Sequence, residues 1–99
     1  MLRITDGKGF HITFNNGYSI SVQFGIGNYC GNRDFVILRN GKDLEACNIE
    51  AGEKGSWDCE IAILDPQNNL IQVEEWGDEV KGWVTPNELV KWMEYTSKL

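Results

Sequence analysis

Ten consecutive residues, Gly25-Ile26-Gly27-Asn28-Tyr29-Cys30-Gly31-Asn32-Arg33-Asp34, gather more chemical capability than any other stretch of this sequence. Gly25 and Gly27 let backbone N–H groups approach a ligand closely, and the amides of Asn28 and Asn32 offer both donors and acceptors. Tyr29 supplies a ring that can stack, and Arg33 supplies a forked cation that suits phosphate. These are the parts needed to hold a phosphate or a base. The pattern is not the dinucleotide fingerprint, because its third glycine, Gly31, comes one place late and no helix follows. It is not a phosphate loop either, since the closing Gly-Lys-Ser/Thr is missing. An ordinary long connection, with Arg33 paired to Asp34, explains the same residues, and both readings stay open.

The remaining chemistry-bearing residues are sparser. Cys30, Cys47, Cys59 and His11 could in principle make a Cys₃His zinc site. The cysteines stand 17 and 12 positions apart, without the close Cys-x₂₋₄-Cys pairs that make such a signal strong, so no metal site is assigned. A Cys30–His11 nucleophile pair oriented by Asn32 or Asp34 is geometrically open. His11 is the only histidine, however, and it falls on the polar side of a strand pattern, where a solvated imidazole is the ordinary outcome. The carboxylates of Glu74-Glu75-Trp76-Gly77-Asp78-Glu79 lack the spacing of a calcium loop and read as a solvated turn with Trp76 packed inward. Trp57, Trp76, Trp83 and Trp92 read as core residues rather than a stacking platform, Trp92 above all. No cofactor motif is present.

Composition excludes several classes. The 99 residues suit one domain with its own core, and 41% hydrophobic with 24% charged residues argues against wholesale disorder. Acidic side chains outnumber basic ones 15 to 9, giving a formal net charge of −6. A chain so charged lacks the cations that displace counterions from a nucleic-acid duplex. The longest apolar run, Phe35-Val36-Ile37-Leu38, is far too short to cross a bilayer, and Met1 to Asp6 has no apolar leader. Three cysteines without a secretion signal point to reduced thiols, so a cytoplasmic protein is expected.

The elements that must position these residues are mostly strands. Phe10, Ile12 and Phe14 alternate with His11 and Thr13, and Tyr18, Ile20, Val22 and Phe24 alternate with Ser19, Ser21 and Gln23. A two-residue loop between them would set Phe14 against Ser19 and mix the faces. A three-residue loop, Asn15-Asn16-Gly17, sets Phe14 against Tyr18, Ile12 against Ile20 and Phe10 against Val22, with Gly17 left-handed. A second hairpin is expected at Phe35–Leu38 and Leu44–Cys47 around Asn40-Gly41. In a third, Trp57, Cys59, Ile61 and Ile63 form a dry face, and a turn at residues 65–69 leads to Leu70-Ile71-Gln72-Val73. That register brings Ile63 to Ile71 and Ile61 to Val73. A short strand at Gly82-Trp83-Val84 follows.

The C-terminus begins a helix of about 12 residues. Thr85 is the N-cap, Pro86 the first helical residue and Glu88 the third, which completes a capping box. Val84 and Leu89 are spaced for a hydrophobic staple. Leu89, Trp92, Met93 and Thr96 share the face that must dock, while Glu88, Lys91 and Glu94 face water. The expected fold is α+β: an antiparallel sheet of about five to seven strands with one C-terminal helix packed on it. Exposed sheet edges leave pairing with a second copy open.

The run Ser21-Val22-Gln23-Phe24-Gly25, then Gly27-Asn28-Tyr29-Cys30 and Asn32-Arg33, resembles a family of small, functionally unassigned proteins of tailed bacteriophages and prophages. Glu60-Ile61-Ala62-Ile63 and Gly82-Trp83-Val84-Thr85-Pro86 echo it more weakly, and together these segments touch about half the chain. The resemblance implies a phage or prophage origin and a place in the host cytosol. Phage proteins of this size often counter host defence, by sequestering a nucleotide signal or by blocking a host protein. Three expectations follow. The first is a non-enzymatic protein that binds a small anionic ligand through Gly25, Gly27, Asn28, Tyr29, Asn32 and Arg33. The second is an acidic protein–protein inhibitor of a host protein. The third is a small cysteine-dependent enzyme, which the lone histidine weighs against.

Overall fold

A computed structural model describes residues 1–5, 9–24 and 58–99. Its sheet has five antiparallel strands in chain order: β1 (Leu2–Thr5), β2 (Gly9–Thr13), β3 (Ser19–Gln23), β4 (Cys59–Leu64) and β5 (Val80–Val84). Among the described residues one α-helix, α1 (Pro86–Ser97), completes it. This is the α+β arrangement expected from the sequence, and no helix among the described residues is long and apolar enough to cross a membrane.

The β2–β3 hairpin has the three-residue loop that the face argument requires. Phe10 pairs with Val22 and Ile12 with Ile20. The Phe14 N–H donates to the Tyr18 carbonyl and the Gly17 N–H to the Phe14 carbonyl, at 2.9 Å each. Gly17 sits at φ +86°, and a Cβ there would press to 3.2 Å of the Pro66 ring in the next turn. Glycine is therefore needed twice over, for its backbone angle and for the close approach of two turns. Gly9 is held by a different constraint, because a Cβ on it would collide with the Val22 carbonyl oxygen.

With that register set, Ile20, Val22, Cys59, Ile61 and Ile63 share one face and are buried together with Val73, Val84 and Trp92. Each large aliphatic chain so buried contributes on the order of 1.5–3 kcal/mol of transfer free energy. The α1 helix lies over this face, burying Trp92 and Thr96 and packing Leu89 and Met93 against the cluster. Its capping box is formed: the Glu88 N–H donates to Thr85 Oγ1, and the Thr85 N–H donates to Glu88 Oε1. The Thr96 hydroxyl, fully buried, donates to the Trp92 carbonyl at 2.7 Å, which removes the cost of burying it.

Three features depart from the sequence pattern or extend it. β1 is an additional strand, pairing Leu2 with Ile12 and Ile4 with Phe10. The expected strand at Leu70–Val73 starts as proposed, with the Ile71 N–H donating to the Ile63 carbonyl, but it goes no further than the bridge between Leu64 and Leu70. Val73 pairs with Asp78 instead of Ile61, because β5 occupies that side of β4 and sets Lys81 opposite Ile61. The hairpin expected at Phe35–Leu38 and Leu44–Cys47, and Trp57, lie outside the described residues.

One side chain couples the hairpin to the helix. Asn16 Oδ1 accepts from the Tyr18 N–H at 3.0 Å and so shapes the turn. Its Nδ2 donates to the carbonyls of Thr96 at 2.9 Å and Leu99 at 3.2 Å, at the C-terminal end of the helix. Asn16→Ala is expected to lower stability by about 1–3 kcal/mol, because it removes the side-chain hydrogen bonds to both the turn and the helix end. Asn15→Ala, one residue away and exposed, should shift the thermal midpoint far less. Thermal unfolding of the two variants side by side checks this.

Candidate functional site

The candidate ligand residues Gly25, Gly27, Asn28, Tyr29, Asn32 and Arg33, with Cys30, lie outside the described residues. The frame that carries them is described. The connection from residue 24 to residue 58 leaves β3 and returns to β4, two adjacent strands paired along their whole length from Ser19–Leu64 to Gln23–Glu60. Both its ends therefore start from one point, at the Gln23–Glu60 end of the most deeply buried strand pair in the sheet. Ser19, Ile20, Ser21 and Val22 are all buried, so this stem is anchored on both faces. Gln23, the last residue of β3, turns its side-chain amide back to the Ser21 hydroxyl at 3.3 Å.

His11 lies on the polar face of β2, between Arg3 of β1 and Ser21 of β3 in register. Partial burial, followed by the Arg3 charge, lowers its pKa below 6.5, so the fold favours neutral imidazole. Among the described residues no hydrogen bond joins His11 to Ser21, whereas the neighbouring Thr13 and Ser19 hydroxyls are bonded at 2.9 Å. Cys59 is a core residue, as its place in the alternation implies, with its thiol donating to the Val84 carbonyl at 3.5 Å. No group of three or more metal-ligating side chains occurs among the described residues.

The acidic segment is a short 3₁₀ turn, Glu74–Trp76, closed by Gly77 in the left-handed conformation. Glu74, Glu75, Asp78 and Glu79 are exposed, and Trp76 packs inward as expected. Its ring meets Trp92 edge-on at 5.0 Å, and Trp92 in turn meets Tyr95 at 5.2 Å. The Trp76 Nε1–H is buried without an acceptor among the described residues. Lys91 lies 4.8 Å from the centre of the Trp92 ring and 3.7 Å from Glu75, a solvent-exposed pair that contributes little.

Trp83 overturns its expected place in the core. Cys59 pairs with Val84 and Ile61 with Lys81, so Glu60 faces two residues, Gly82 and Trp83, across a β-bulge. Trp83 takes the left-handed conformation at φ +57° although a glycine adjoins it, and its side chain is 50% exposed. Alternation with the buried Val84 already pointed Trp83 outward; the bulge is a pairing irregularity that no local pattern announces.

Comparison with protein-family models, with curated proteins and with solved structures finds no match to this chain. The functional reading therefore rests on the residues themselves.

Two outcomes follow from this geometry. Trp83→Gly should stay within about 1 kcal/mol of the native stability, because relief of the left-handed backbone offsets the lost ring contacts. Trp92→Ala should cost about 3–5 kcal/mol. Denaturant unfolding of the pair separates a surface ring from a core ring. For His11, the folded pKa lies below the unfolded one, so the unfolded chain takes up the proton first. Stability should fall as the pH drops below 6.5, and His11→Gln should flatten that part of the profile.

Proposed function

We propose that this protein is a non-enzymatic, phage-type binding protein that captures a small anionic, nucleotide-like ligand through Gly25–Asp34. The supporting observation is the stem. The segment, with three Gly, two Asn, Tyr29 and Arg33, directly follows β3, and the longer connection that contains it leaves β3 after Gln23 and returns to the adjacent, paired strand β4. Binding residues on a loop work best when a rigid scaffold fixes its ends, because less ordering entropy is then lost on capture. In this reading Arg33 holds phosphate, Tyr29 stacks on a base, and Asn28 and Asn32 read polar edges, while the backbone at Gly25 and Gly27 approaches the ligand. An anti-defence role would follow if the ligand is a nucleotide signal in the host cytosol.

The exposed carboxylates of Glu74, Glu75, Asp78 and Glu79 favour a second reading, an acidic inhibitor that docks on a basic host protein. Thermal shift measurements with a panel of mono-, di- and cyclic nucleotides distinguish the two. Ligand capture predicts stabilisation by at least one nucleotide, at about 2.7 kcal/mol when the ligand is at a hundredfold its dissociation constant, and loss of that shift in Arg33→Ala. No shift with any nucleotide would count against capture. Retention of a host protein by Arg33→Ala as by the native chain would favour the inhibitor.

A further inference from the structure

We infer that the outer edge of β1 is a self-association surface, through which two copies pair antiparallel about a two-fold axis to form one continuous ten-stranded sheet. This is independent of what Gly25–Asp34 binds. The hydrogen-bond phase of β1 carries the inference. The Met1 ammonium donates to the Thr13 carbonyl and the Thr13 N–H donates to the Met1 carbonyl, at 2.8 Å each. Bonded and non-bonded pairs alternate along an antiparallel ladder. Arg3–His11 and Thr5–Gly9 are therefore the bonded pairs of β1 and β2, and the N–H and C=O groups of Leu2 and Ile4 point away from β2. Among the described residues no strand lies beyond them.

The same two residues carry the exposed apolar side chains. Leu2 is 75% and Ile4 83% exposed, next to Met1 at 80%. Their register with Ile12 and Phe10 puts them on the core face, beyond the part that α1 covers. Edge strands are ordinarily protected by proline, by an inward charge or by a bulge, and Leu2–Thr5 has none of these on its apolar side.

The occupant that fits is a second copy. Opposing Leu2 to the second copy's Ile4, and Ile4 to its Leu2, makes two bonded pairs with about four intermolecular hydrogen bonds. All four apolar side chains then meet on one face. An antiparallel pair of identical strands is self-complementary by symmetry. Charge permits it as well: the net charge of −6 opposes contact between copies in general, but β1, β2 and β3 carry no carboxylate, and the exposed acids at Glu74, Glu75, Asp78 and Glu79 belong to the opposite side of the sheet order. Arg3 would face its own symmetry mate on the polar side, the one repulsive contact in this register. A four-residue edge buries well under the ~800 Å² per partner of a stable interface, so the dimer is weak and concentration-dependent.

Sedimentation equilibrium of the full chain from roughly 10 μM to roughly 1 mM tests the inference. The expected result is an average mass that rises from monomer toward dimer. Ile4→Pro deletes an N–H that bonds nothing among the described residues, so it should stay monomeric throughout with little change in thermal midpoint measured at low concentration. Ile4→Lys puts a charge on the apolar edge and should do the same, and it decides the matter should the proline variant fail to fold. An equimolar mixture of native chain and Arg3→Glu should associate more tightly than either alone, because the opposed arginines become an ion pair. A native chain that remains monomeric at the highest concentration, or association undiminished in a folded Ile4 variant, would overturn the inference. Equal association of the mixture and its parents would overturn the Leu2–Ile4 register.

Discussion

Gly17 holds the left-handed turn that sets Phe14 against Tyr18, and the contacts that follow in the sheet are built on that register. A slip of one residue would carry Ile20 and Val22 to the face that holds Ser19 and Ser21. The dry face shared with Ile61 and Ile63 would be lost, and α1 would have nothing to cover. The turn also reaches beyond its own hairpin. Its backbone lies against Pro66, and its Asn16 amide meets the carbonyls of Thr96 and Leu99. The turn after β2, the turn after β4 and the end of α1 therefore meet at one end of the sheet.

This arrangement separates a fixed end from a carrying end. At the Asn16 end, short connections are tied by backbone and side-chain hydrogen bonds, as where Asp65 Oδ1 accepts from the Gln67 and Asn69 N–H groups and keeps its carboxyl pKa below the usual range. At the other end, β3 and β4 part at Gln23 and Glu60, where residues 25–57 join them. The polar face of the sheet offers one partly desolvated histidine beside Arg3, and buried serines.

The two edges of the sheet differ in character. β5 is broken by a bulge at Gly82-Trp83 and neighbours the acidic turn, features that discourage pairing with another strand. β1 is short, regular and apolar on the core face, so the face that α1 covers over one part of the sheet stays open at Leu2 and Ile4. The helix is 12 residues long and follows β5 directly, which limits how far across the sheet its apolar side can extend.

Local rules sufficed wherever the physics is local. The β2–β3 register followed from alternation and one glycine, and the start of α1 from Thr85, Pro86 and Glu88, because turn angles and orphan helix N–H groups are satisfied within a few residues. The dry face of Cys59, Ile61 and Ile63 was legible for the same reason. Whether Leu70–Val73 or Val80–Val84 flanks β4 was not, because both carry strand-like patterns and only competition for one side of β4 chooses between them. Nor could the sequence place β1, whose four residues gain definition from pairing with β2, or the bulge at Gly82-Trp83 opposite Glu60. The composition of Gly25–Asp34 was visible in the sequence from the start. Tertiary structure added that the connection containing it leaves from and returns to the buried β3–β4 pair, because strand adjacency is set by long-range packing that no window along the chain contains.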